Sequence, residues 1–163
     1  MVLLILSACA DPTPAPSPSP PPQGMAVSAA LDPAALCDGR SPAIAWSGHP
    51  EDSGSFALTL IAPSAEGPWV HWMAWDIPAD QASLAAGIRP TQSPPIQGIG
   101  SSNAVGYDAP CPQPGERHVL RVFALTSPLG LPPTTTWSTL GAAIQEHTLS
   151  WGMQVLEVTG GDD

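Results

Sequence analysis

Ser55-Phe56-Ala57-Leu58-Thr59-Leu60-Ile61 is the stretch whose reading decides the fold. Its composition is that of a β-strand, and Phe56, Leu58 and Leu60 recur at period two, so they share one face of the pleat. Working outward, Pro42-Ala43-Ile44-Ala45-Trp46 is a short apolar run closed by the turn residues Ser47-Gly48-His49-Pro50. Trp69 to Ile77 is an aromatic strand stopped by Pro78, whose ring nitrogen cannot donate to a ladder. His118 to Leu125 is a further strand, and Trp151 to Val158 a last one, with Trp151, Met153 and Val155 facing one way. One segment alone has helical spacing: Thr136 suits an N-cap, and Leu140, Ala143, Ile144 and His147 follow at intervals of three and four. Many strands with a single late helix predict a mainly β fold, an antiparallel β-sandwich carrying a short C-terminal helical appendage.

The N-terminus carries addressing signals. Val2 to Leu6 is an apolar run too short to span a bilayer, and Leu6-Ser7-Ala8-Cys9 after it resembles a bacterial lipobox, in which the cysteine thiol takes the lipid. Residues 10–24 are rich in proline and serine, the composition of a polyproline II tether that rises ~3 Å per residue. The chain therefore divides into a lipoprotein signal segment (1–9), a tether (10–24) and one domain (25–160). The expected location is export, with lipid anchoring through Cys9 at the bacterial cell envelope.

Charge and cysteines narrow the function classes. Among 163 residues, 43% are hydrophobic and 11% charged, and four Lys+Arg stand against 14 Asp+Glu for a net charge of −10. Such a chain is repelled by phosphate backbones and anionic headgroups, so nucleic acid is not an expected partner. With Cys9 lipidated, Cys37 and Cys111 remain. An exported chain admits either a disulfide between them or two free thiols, because sequence alone does not bring the two Cα atoms together.

Several short motifs run in a recognisable order: Cys37-Asp38-Gly39 with Ser41-Pro42 and Trp46-Ser47-Gly48; Ser55 to Thr59; His71-Trp72 leading to Ile77-Pro78; Gly100, Asn103 and Gly106-Tyr107; Pro110-Cys111-Pro112 with Pro114-Gly115; Ala124-Leu125; Leu131-Pro132-Pro133; and His147 before Leu149. In that order they resemble the phosphatidylethanolamine-binding proteins, in particular the bacterial and archaeal Raf-kinase-inhibitor-like branch. The resemblance covers nearly the whole domain. It implies a Greek-key β-sandwich with a shallow anion-accepting pocket, and it marks the long Gly-, Pro- and Ser-rich region 79–116 as functional. On it, the ligand-binding residues are expected to be His71, His118, Trp69, Tyr107, Gly106 and Pro110. The chain also departs from the family pattern. The acidic D-P-D-A-P stretch reads Ala62-Pro63-Ser64-Ala65-Glu66, the Gly-Pro pair reads Ala109-Pro110, and the H-R-Y triplet reads His118-Val119-Leu120. Glu66 and Arg117 are the candidates to replace the missing charges.

Read without the resemblance, His71 between Trp69 and Trp72 is a histidine within an aromatic core, and His118 has the same default. His147 is structural, its cationic ring suiting the helix C-terminus. His49 lies in a turn and is expected to be solvated, and Trp46, Trp75 and Trp151 are expected in the core. The zincin, paired C-x-x-C, nucleophile-elbow and phosphate-loop patterns are missing, so neither an enzyme nor a metal or other cofactor is expected. The leading reading is a lipid-anchored binding protein that takes a small anionic or phosphorylated ligand weakly, with the membrane engaged through the N-terminal lipid. The alternative is an envelope protein-interaction or inhibitor module with a vestigial pocket and a protein partner. A hydrolase using the two histidines comes last.

Overall fold

A computed structural model of the protein describes residues 20–31 and 36–157. Cys9, the apolar run before it, residues 10–19 of the expected tether and the last residues of the expected domain lie outside the described residues.

The strand read first from the sequence lies at the centre. Strand β3 (Ser55–Ala62) pairs on one side with β4 (Trp69–Pro78) and on the other with β7 (Arg117–Leu125), both antiparallel. Strand β8 (Thr148–Glu157) extends the sheet beyond β7, and the two-residue β6 (Ile96–Gln97) edges β4, for an order of β6-β4-β3-β7-β8. The chain leaves β4 and returns as β7 on the far side of β3, which is the long connection of a Greek-key arrangement. A smaller sheet of β1 (Ala26–Ala29), β2 (Ile44–Ser47) and β5 (Ser83–Leu84) covers one face. The single described helix, α1 (Trp137–His147), covers the other. The protein is therefore an antiparallel two-sheet β fold with one C-terminal helix.

A sheet covered on both faces must be apolar on both, and β3 and β4 are. Phe56, Leu58 and Leu60 pack with Trp72, Leu120, Val122 and the small-sheet residues Ile44, Trp46 and Leu84. The alternate residues Ala57 and Ile61 pack with Met73, Trp75 and the helix residues Leu140 and Ile144. Strands β1, β5 and β6 are too short to leave a period in the sequence, so much of 79–116 read as loop; β5 and β6 fall within it. Thr136 does occupy the N-cap with extended backbone, but its hydroxyl lies 3.3 Å from Ser138 Oγ and makes no capping bond.

Three local expectations need correcting. Trp46 and Trp75 are in the core, whereas Trp151 is half-buried, its indole N–H donating to Pro21 O at 3.3 Å. His49 is half-buried, with its ring edge-on to Phe56 at 4.9 Å. The last residues of the expected tether are docked: Trp151 N donates to Pro22 O, and Gly24 N donates to Trp151 O. This crossing explains Gly152, where a Cβ would run into the carbonyl of Met25.

Candidate functional site

His71 owes its position to an irregularity between β3 and β4. Trp72 pairs with Leu60 and Val70 with Ile61, so His71 is the extra residue of a β-bulge, a device that re-aims a side chain at the rim of a sheet. The start of β4 is latched from outside. Ser101 Oγ accepts from Val70 N at 2.9 Å, Ser101 N donates to Val70 O at 2.9 Å, and Asp108 N donates to His71 O at 2.8 Å. The region 79–116 thus holds the strand that presents the histidine, and the Ser101 hydroxyl is engaged in that latch.

His118 arrives from β7, beyond the point where Ile61 pairs with Val119. The two imidazoles face each other with ring centroids 5.1 Å apart and planes at 47°. They sit in a pocket of about 560 Å³ whose walls also include Trp69, Pro110, Ala62, Glu116 and Arg117. Trp69 is 48% exposed and forms the rim, 6.5 Å from His71, whereas His118 is 1% exposed. Pro110 is held by its neighbour: Cys111 is bonded to Cys37 across 74 positions, with Cα atoms 4.3 Å apart. Of the two thiol readings the sequence allowed, the disulfide is the one formed.

Gly106 and Tyr107, expected among the ligand-binding residues, are not in the pocket lining. Gly106 has φ +97° and backs onto Pro90, with its N–H donating to Gly98 O. The Tyr107 ring packs edge-on against Trp72 at 5.5 Å, and its hydroxyl donates to Leu36 O at 3.4 Å. Burial and the Asp108 charge push its pKa up to about 12. Trp72 is pinned in turn by Gln97, whose Oε1 accepts from the indole at 2.8 Å and whose Nε2 donates to Arg89 O at 2.7 Å.

Of the two residues offered as replacement charges, Arg117 lines the pocket and Glu66 does not. Arg117 is shared with Glu157 at 3.4 Å in an exposed pair. Glu116 was missed. It has no periodic or motif signal and reaches the wall only because the turn before β7 places it there.

Electrostatically the pocket is an imidazole pair with one acid and one guanidinium, Glu116 and Arg117, in its wall. Burial, reinforced by His118, holds the His71 pKa below its usual value; Asp108, by charge and backbone, and Glu116 oppose this. Burial likewise lowers His118, again opposed by Glu116. Both rings are therefore neutral at pH 7, each with one donor and one acceptor. The Nδ1 atoms of both are buried and, among the described residues, have no hydrogen-bond partner, so nothing at Nδ1 fixes the tautomer. No group of three or more His, Cys, Asp or Glu able to hold a metal ion occurs among the described residues.

The family model for phosphatidylethanolamine-binding proteins matches residues 22–158. The chain belongs to that family. A UPF0098 protein of Methanothermobacter thermautotrophicus is 35% identical over 122 residues, covering 69% of this chain and 80% of that protein. The UPF0098 protein YbcL of Escherichia coli is 35% identical over 101 residues, 55% of each chain. Among solved structures, a phosphatidylethanolamine-binding protein homologue of Chlamydia trachomatis, CT736, superposes with a TM-score of 0.72 at 22% identity, covering 86% of this chain and 99% of its own. The crystal structure of YbcL gives 0.65 at 25% identity, covering 74% and 82%. Of the departures seen in sequence, Ala62 stands in the pocket wall, whereas Ala109 and the buried Val119 are not in the lining. Among the described residues no helix is long and apolar enough to cross a membrane.

Proposed function

We propose that this family member is a binding protein, not an enzyme, whose histidine pocket receives a small phosphorylated or otherwise anionic ligand with low affinity at neutral pH. The observation that carries the reading is the facing pair His71 and His118, buried and 5.1 Å apart in a pocket that also holds Arg117. A neutral imidazole offers a donor but no charge, so an anion is received well only when a ring is protonated. Burial sets that protonation below the usual range around 6.5, and an entering anion opposes it. We further propose export and lipid attachment at Cys9, on the strength of Leu6-Ser7-Ala8-Cys9 and the proline-rich stretch after it.

Titration with inorganic phosphate, followed by NMR of the imidazole resonances, tests the ligand. Binding is expected to be weak at pH 7.5 and to strengthen as the pH falls below 6.5, with His71→Ala and His118→Ala each removing the pH dependence. Tight binding that is flat from pH 5 to 8 would transfer the role to Arg117. For the anchor, Cys9→Ser is expected to move the protein from the membrane to the soluble fraction. A second reading, an interaction module with a vestigial pocket, is favoured by Ala62 and Glu116, which leave the wall short of the family's acid yet repulsive to anions. It takes over if phosphate binds at no pH.

A further inference from the structure

We infer that the protein carries a second ligand site, on the opposite face of the large sheet, for a flat aromatic acid received by Arg121. Alternation along β7 sends His118, Leu120 and Val122 toward the small sheet and Arg121 and Phe123 toward α1. There, between the helix and strands β7 and β8, lies a cavity of about 610 Å³ walled by Phe123, Trp137, Trp151, Pro21, Gly141 and Arg121. None of these residues belongs to the histidine pocket.

Two features specify the ligand. The first is charge. The chain has four cationic side chains against 14 acidic ones, and two of the four, Arg117 and Arg121, lie on β7. Arg117 is paired with Glu157; Arg121 is half-buried, and among the described residues no carboxylate lies within ion-pair distance of it. A guanidinium stays charged at neutral pH, so a half-buried one without an acid is a cost that an anionic ligand offsets. Burial and the neighbouring Arg117 both act against its charged form, as expected of such a group. The second is shape. Trp137 and Trp151 are half-buried, unlike Trp46, Trp72 and Trp75 in the cores, and with Phe123 they offer ring surfaces suited to offset stacking on a flat partner. A cavity with apolar walls and one convergent charge is the usual form of a small-molecule site.

The full-length protein is titrated with 1-anilinonaphthalene-8-sulfonate and, in parallel, with its uncharged analogue N-phenyl-1-naphthylamine, with fluorescence as the readout. The anionic probe is expected to bind, and Arg121→Gln to weaken it about tenfold, the scale of one charged hydrogen bond, while leaving the neutral probe unchanged. Gly141→Leu fills the cavity, since the nearest atoms to a Cβ there are those of the Trp137 ring at 3.6 Å, an ordinary contact, and is expected to abolish binding of both probes without lowering the melting temperature. His71→Ala and His118→Ala are expected to leave both titrations unchanged, which separates this site from the histidine pocket. The inference is overturned if the anionic probe does not bind, if Arg121→Gln affects both probes equally, or if binding survives Gly141→Leu.

Discussion

Replacing both half-cystines, Cys37→Ser with Cys111→Ser, is expected to cost about 4 kcal/mol of stability. The number follows from the topology. The bond joins positions 74 apart, and cutting a cross-link of that span returns loop-closure entropy to the unfolded chain, roughly 4.5 kcal/mol at 25 °C on the chain-entropy estimate. Both cysteines are exposed, so serine leaves no core cavity and the entropic effect is seen almost alone. Urea denaturation of the oxidised protein, the reduced protein and the double variant measures the loss directly. Reduced and substituted proteins are expected to agree with each other and to melt about 10 °C below the oxidised protein. A larger dependence on denaturant is also expected, because the uncrosslinked unfolded chain exposes more surface. Since Cys111 adjoins Pro110 in the pocket wall, the same variant is expected to weaken phosphate binding at pH 5.5. A loss below 1 kcal/mol, with unchanged denaturant dependence, would refute the entropic reasoning and would mean that the loops on either side are held by other contacts.

The histidine pair makes a second prediction, with a defined sign. Both rings have their pKa held below 6.5 by burial, so as pH falls the unfolded chain takes up protons before the folded one; the stability they supply is complete above 6.5 and is lost as pH falls through the folded values. Denaturation midpoints at pH 7.5 and pH 5 are expected to differ less in His118→Asn than in the parent, and an equal difference would contradict the assignment. Gly152→Val places a side chain against the Met25 carbonyl and is expected to cost about 3 kcal/mol by thermal melting, whereas tolerance would show that the N-terminal segment is free to lift off β8. Gln97→Leu strands the Trp72 indole N–H and the Arg89 carbonyl, for an expected loss of about 2–3 kcal/mol by urea denaturation, and a neutral result would mean that both groups find other partners.

What the sequence determined by itself is the content of the strands and the order of the motifs. Period two in Ser55 to Ile61, the aromatic run from Trp69, and Leu140 with Ile144 at helical spacing are local signals, because burial of one face writes itself directly into neighbouring residues. Those signals were enough for the β class, the late helix and the strands that carry His71 and His118. Their meeting was not a local matter. A bulge at Leu60 and Ile61 turns His71, a crossover brings β7 to the other side of β3, and a long disulfide holds Pro110; each depends on contacts between residues far apart in the chain. The same reason separates residues that are close in sequence. Tyr107 and Gly106 are near Pro110 in sequence but outside the lining, while Glu116, which carries no pattern, stands within it. Arg121 is the sharpest case: in sequence it is one charge on an apolar strand, and only the packing of α1 over β7 and β8 leaves it facing a cavity of aromatic rings.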